Sequence, residues 1–201
     1  VGVPSEVVDT EIVAGMCDTL DAMAGGPYRV KFSSRRVLNL LMPFAGINQD
    51  LAADVFRVLD KLDKIGIEKI RKELTTGYQD ESGDTIEGVG LSRRQVDRIE
   101  QFLAVKGASR DDVLAGLSQV FAGVDGAADA VAELSKISSH LASLGYSENR
   151  AVIDLSIARG LAYYTGPVFE AGLLDAPEFG SVFGGGRYDD LVMRFLGERV
   201  P

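Results

Sequence analysis

Tryptophan is absent from this 201-residue chain, and cysteine and histidine occur once each. A lone Cys17 excludes an intramolecular disulfide and a multi-cysteine zinc site. A lone His140 leaves a histidine-based metal centre or catalytic dyad with almost nothing to be built from. Both fall in helical patterns, so a buried core thiol and a surface or partly buried structural imidazole are expected, and no metal site. No apolar run approaches the roughly 18 residues needed to cross a bilayer. The start, VGVPSEVVDTEIV, lacks the basic head and uninterrupted apolar stretch of a signal peptide. A cytoplasmic protein without a membrane partner is expected. A formal net charge of −9 argues against a general grip on polyanions. Two local basic stretches, KLDKIGIEKIRK (61–72) and SRRQVDR (92–98), are interleaved with acids and read first as solvated helix faces, second as nucleic-acid contacts. There is no G-x-S-x-G elbow, no phosphate loop ending in G-K-S/T and no G-x-G-x-x-G after a strand.

What is present reads as globular, at 46% hydrophobic and 25% charged residues, with length for one large or two modest domains. Val8, Ile12, Met16 and Leu20, with Val13 and Cys17 beside them, predict an amphipathic helix over 5–24. Tyr28, Val30 and Phe32 alternate with polar residues as in a half-buried strand, and a short helix through Val37, Leu38 and Leu41 is expected to stop at Pro43. From 46 to 148 the pattern predicts helices only, including one opened by a Ser92/Gln95 capping box and a last long one through Val131, Leu134, Ile137, Leu141 and Leu144; TTGYQDESGDTIEGVG reads as a loop. The strand signal returns in RAVIDLSIARG. TGPVFEAGLL and EFGSVFGGG flank the turn-forming DAP as a hairpin, and RYDDLVMRFLG reads as a closing helix. The expected architecture is α+β, with sheet segments at 1–45 and 149–201 interrupted by an all-helical module at 46–148.

One segment, RGLAYYTGPVFE (159–170), combines a fixed positive charge with two phenols and little bulk. Strand alternation puts Tyr164, Gly166, Val168 and Glu170 on one face, the candidate working face, and Tyr163, Thr165, Pro167 and Phe169 on the other. Arg159 precedes Gly160, which lets its guanidinium turn toward the same cleft and take a carboxylate or phosphate. Gly184, Gly185 and Gly186 thin the next strand, either as a bulge or as a place where backbone approaches a ligand. Arg187 and Tyr188 just beyond reach either into that pocket or, for Arg187, to Asp189 or Asp190 at the surface. Such a site binds and polarises and offers no nucleophile, which suits phosphoryl or nucleotidyl transfer.

Together, ARGLAYYTGPVFE and FGGGRYDDLV resemble the histidine-specific signature and following segment of class II histidyl-tRNA synthetases. VVDTEIV, YRVKFSSRRVLNLLM and VFRVLDKLDKIG are similar to that family's helix after motif 2, its next strand and helix, and the start of its insertion domain. The resemblance implies a class II antiparallel sheet, ATP with Mg2+ as cofactor in the full-length parent, activation of histidine to its adenylate, and transfer to histidine tRNA by a homodimer. It also implies that Arg159 is the catalytic arginine on the α-phosphate and amino-acid carboxylate, and that Tyr163, Tyr164 and Tyr188 line the histidine pocket. Gly184 to Gly186 become the strand under the substrate, and the helical block the part lying over the tRNA acceptor stem. Ala162 stands where the signature usually has aspartate. Motifs 1, 2 and 3 find no match, so an internal fragment, inactive by itself, is expected. The alternatives are a non-catalytic regulatory subunit of histidine biosynthesis (of ATP phosphoribosyltransferase) and a tRNA-sensing domain of a regulatory kinase.

Overall fold

The structure is a computed structural model describing residues 5–23, 26–157, 164–189 and 197. Helix α1 (Glu6–Met23) leads into strand β1 (Tyr28–Ser34), the short helices α2 (Arg35–Asn39) and α3 (Leu41–Ala45), and then α4 (Ala52–Leu59) and α5 (Leu62–Leu74). After a small hairpin of β2 (Gly77–Gln79) and β3 (Thr85–Glu87) come α6 (Arg93–Leu103), α7 (Arg110–Val120) and α8 (Ala127–Ser143). Strands β4 (Ala151–Ile153), β5 (Pro167–Leu173) and β6 (Ser181–Gly186) complete the described elements. The larger sheet has the order β4-β1-β5-β6; β1, β5 and β6 run antiparallel as expected, whereas β4 is parallel to β1.

The α+β class stands, and several local expectations are corrected. The buried stripe of α1 is Asp9, Thr10, Val13, Met16, Cys17 and Leu20, and Ile12 is half exposed. Two polar residues take inward positions because partners await them, Arg187 for Asp9 and the Glu6 carbonyl and His140 ring for Thr10. The helix after β1 breaks at Leu40, not at Pro43. Pro43 sits in the first turn of α3, where its missing N–H costs nothing, and the left-handed Gly46 (φ 65°) ends that helix. Leu144 lies past the end of α8 and is exposed.

The segment 46–148 is not purely helical, since β2 and β3 occupy the stretch read as a loop. Their three-residue strands are too short for a period-two pattern to register. The turn between them is built by the Asp80 carboxylate, which accepts from the Ser82 and Asp84 amides. β4 ends at Ile153, because the Asp154 carboxylate takes the Ser156 amide and hydroxyl and folds the chain into a turn. The expected Ser92/Gln95 capping box is formed, and the structure adds a second, Ser109/Asp112, at the start of α7.

One continuous apolar cluster runs from Val13 and Cys17 of α1 through Val30 and Phe32 of β1, Phe56 of α4, Ile99 and Phe102 of α6 and Leu134 of α8 to Phe169 of β5. Cys17 is buried, as expected, and burial pushes its thiol pKa up. The sheet and the helices therefore share a core. The closing helix read in RYDDLVMRFLG falls largely outside the described residues. Among the described residues no helix is long and apolar enough to cross a membrane.

Candidate functional site

The β5/β6 hairpin aligns Val168 with Gly186, Phe169 with Gly185 and Glu170 with Gly184, and β1 sets Lys31 beside Glu170. Phe169 and Ala171 enter the core. By strand alternation Val168 and Glu170 face the other way, across from the bare backbone of Gly184 and Gly186.

That bareness is used. A Cβ placed on Gly186 would stand 2.7 Å from Cγ of Tyr164, so the phenol ring lies directly on the glycine strand. A Cβ on Gly184 would stand 2.8 Å from the Phe169 carbonyl oxygen, while one on Gly185 would meet nothing within 4 Å. Two of the three glycines are thus required for close approach. The Tyr188 ring is 6.4 Å from that of Tyr164, centroid to centroid, at 35°. The structure brings Tyr164, Tyr188 and the glycine strand together, and Glu170 pairs with Gly184 on that strand. Arg159 and Tyr163 lie outside the described residues.

Gly166 departs from the expected alternation. It lies in a bend before β5, and a Cβ there would stand 2.5 Å from Nε of Arg187. Arg187 itself does not go to the surface. Its Nη1 donates to Asp9 of α1 at 2.6 Å and its Nη2 to Glu133 of α8 at 2.7 Å, with Asp189 3.4 Å from Nε. Glu133 also accepts from the Ser34 hydroxyl and lies 3.7 Å from Arg36. Burial pushes the Asp9 carboxyl up to about 6, against the pull of Arg187 and with repulsion from Glu133. Burial alone would lower the Arg187 pKa, but Asp9 and Glu133 outweigh it and hold the guanidinium above its ordinary value.

Asp9 and Glu133 are the site's neighbours that pattern reading passed over. The signal was available: each is an acid on the apolar face of an amphipathic helix, a position rarely filled unless paired. Arg35 is a third. Its guanidinium stacks 4.4 Å over Phe56 and its amide donates to the Gly166 carbonyl at 2.9 Å, fixing the foot of the tyrosine segment.

A cavity of about 700 Å³ lies between the β1/β4 edge and the helices, lined by Arg29, Lys31, Leu103, Val105 and Asp154 among others. None of the described candidate site residues lines it, although Lys31, the β1 partner of Glu170, does. Within the basic stretches, Lys61 pairs with Glu73, Lys69 with Glu81 and Arg71 with Glu68 and Glu100, which fits solvated helix faces for much of their charge.

The profile of the histidyl-tRNA synthetase family matches residues 1–201. The chain belongs to the histidyl-tRNA synthetase family. The histidine–tRNA ligase of Paracoccus denitrificans is 45% identical over the whole chain, which spans 43% of that relative's length. The crystal structure of histidyl-tRNA synthetase from Nostoc superposes with a TM-score of 0.85 at 32% identity, covering 98% of this chain and 43% of that one. A Bacillus halodurans structure described as an ATP phosphoribosyltransferase regulatory subunit/histidyl-tRNA synthetase gives 0.71 at 26% identity, covering 96% and 46%. The fold is that of the synthetase family, and the chain corresponds to less than half of these relatives.

Proposed function

We propose that this chain forms the histidine-recognising face of a histidine–tRNA ligase and that the whole protein activates histidine with ATP and transfers it to histidine tRNA. The observation that carries the reading is the Tyr164 ring seated on Gly186 with Tyr188 6.4 Å away. Bare backbone, two phenols and a carboxylate at Glu170 form a shallow, polarising wall for a small amino acid with a hydrogen-bonding ring. In the proposed reaction a carboxylate oxygen of histidine attacks the α-phosphorus of ATP and pyrophosphate leaves. The tRNA ribose hydroxyl then takes the aminoacyl group from AMP. Tyr163, Tyr164 and Tyr188 hold the substrate ring over Gly184, Gly185 and Gly186, and Arg159 neutralises charge growing on the α-phosphate, an electrostatic role suited to a permanent cation.

Among the described residues no three acid, histidine or cysteine side chains converge to hold an ion. In the whole protein Mg2+ would accompany ATP and offset the charge of its phosphates. The division into 1–45, 46–148 and 149–201, a homodimeric whole and a cytoplasmic location complete the proposal. The 201-residue chain by itself is expected to bind ATP weakly or not at all. The regulatory-subunit alternative draws support from the Bacillus halodurans likeness, but the higher identity and TM-score of the Nostoc synthetase favour the ligase.

The test is histidine-dependent exchange of pyrophosphate into ATP by the full-length protein. Exchange only with histidine, lowered at least about a hundredfold by Arg159→Ala, is expected. Exchange unchanged in that variant removes Arg159 from the reaction, and no exchange in the unaltered protein removes the ligase reading.

A further inference from the structure

We propose that Arg187 is a positioning residue for the histidine pocket, clamping the tyrosine-bearing segment onto the glycine strand by gripping Asp9 of α1 and Glu133 of α8. The inference rests on the reading of Tyr164 and Tyr188 as pocket residues. Arg187 lies between them and the rest of the fold in four ways. Its side chain spans two helices that belong to distant parts of the sequence, at 2.6 Å and 2.7 Å. Its guanidinium fills the space that a side chain at residue 166 would take, so Gly166 must be bare for the segment to close. Its carbonyl accepts from the Thr165 amide at 2.8 Å, and its amide donates to the Pro167 carbonyl at 2.9 Å. Its neighbour Asp189 accepts from the Thr165 hydroxyl at 2.7 Å. Residues 165 to 167 are thus tied to Arg187 by main chain on one side and pressed by its side chain on the other. Tyr164 is the next residue out, and Tyr188 is the next residue along.

The charge arrangement makes the clamp directional. Asp9 is 4% exposed and Glu133 3% exposed, so both carboxylates are largely withdrawn from water; Asp9 turns to the Arg187 fork, and Glu133 turns to the same fork with Arg36 3.7 Å away. Glu133 also receives the hydroxyl of Ser34, at the junction of β1 and α2. A displacement of α8 therefore pulls on Arg187, and through it on the segment beneath the tyrosines. By this route the helical segment and the pocket are mechanically joined, without any residue of α8 touching the substrate.

The experiment is histidine-dependent pyrophosphate exchange by the full-length protein, with KM for histidine and for ATP measured separately. Arg187→Met is expected to raise the histidine KM about tenfold or more while the ATP KM moves less than about twofold. Arg187→Lys recovers part of the loss, since it keeps the charge without the fork. Arg187→Met leaves buried Asp9 without its cation and Glu133 with only Arg36 and the Ser34 hydroxyl, and risks failing to fold, so the neutral triple variant Asp9→Asn, Glu133→Gln, Arg187→Met is the second arm. Replacing an entire buried ionic group is tolerated where halving one is not. The triple variant is expected to melt near the unaltered protein and still show the raised histidine KM, which a purely structural role does not produce. Unchanged histidine KM in a folded Arg187→Met or triple variant, with Tyr164→Phe still raising it, overturns the clamp and leaves the pocket reading intact. No histidine-dependent exchange in the unaltered protein overturns both.

Discussion

Arg110, at the start of α7, donates from Nη1 to the main-chain oxygen of Ala151, the first residue of β4, at 3.1 Å. The same guanidinium reaches the Tyr146 carbonyl and the Ser138 hydroxyl, each at 3.1 Å, and lies 3.4 Å from Glu148. One buried fork thereby fastens the helices to the returning strand. Arg110→Met is expected to destabilise the chain by about 3 kcal/mol, because three acceptors lose their donor at a site only 3% exposed. Urea unfolding checks it; a loss below about 0.5 kcal/mol removes Arg110 as the fastening.

Gly186 and Gly185 should respond differently to the same added methyl. At Gly186 it collides with the Tyr164 ring and, at 3.0 Å, with the Pro167 carbonyl, while at Gly185 it meets nothing within 4 Å. Gly186→Ala is expected to cost about 1–3 kcal/mol by overpacking and Gly185→Ala under about 1 kcal/mol. Equal midpoints for the two in urea would mean that Tyr164 does not rest on that strand.

Acidification should stabilise the fold through Asp9 in particular. Its carboxyl titrates near 6 in the folded chain against an ordinary 3.8, with Arg187, Glu133, Asp189 and Glu6 as the charged groups acting on it. Between those values the folded state binds more protons than the unfolded one, so this group's contribution rises as pH falls from about 7 to about 4. Asp154 and Glu6, held below their ordinary values, pull the other way on acidification. The informative quantity is thus the difference between the unaltered chain and Asp9→Asn. Lowering the pH should favour the unaltered chain more than the variant in denaturant midpoint, and a parallel response would show that Asp9 is ionised normally.

Arg93 and Arg94, exposed in the first turn of α6, have no ion-pair partner among the described residues. If the helical segment lies along tRNA, they are among its cations without an ion-pair partner, whereas Arg71 is committed to Glu68 and Glu100. Arg93→Glu with Arg94→Glu should weaken tRNA binding by the full-length protein and lower the log–log salt slope by about 2. Filter binding across salt concentrations with Arg71→Ala beside it makes the comparison; an unchanged slope sends tRNA to another surface.

The elements that the sequence made legible are those with long periodic stripes. α6, α7 and α8, the β5/β6 hairpin and β1 all follow from apolar spacing and capping chemistry. What escaped it was short or polar. The β2/β3 hairpin has three-residue strands, β4 is cut off by a side-chain turn at Asp154, and the inward face of α1 includes Asp9 and Thr10, which an apolar template passes over. At the site, Tyr164 beside the glycines was legible because two unusual residue types recur at close range. The Asp9–Arg187–Glu133 group was not, since its members lie 178 and 54 positions apart and only folding brings them together.

The parallel pairing of β1 and β4 has an engineering consequence. Two strands running the same way cannot be bridged by a tight turn; the chain must travel back along the full strand length, which takes about a dozen residues or more. A minimal version of this protein lacking residues between the two strands therefore needs a return span rather than a short splice. It must also supply a new cover for the flank of α1 on which α8 now lies.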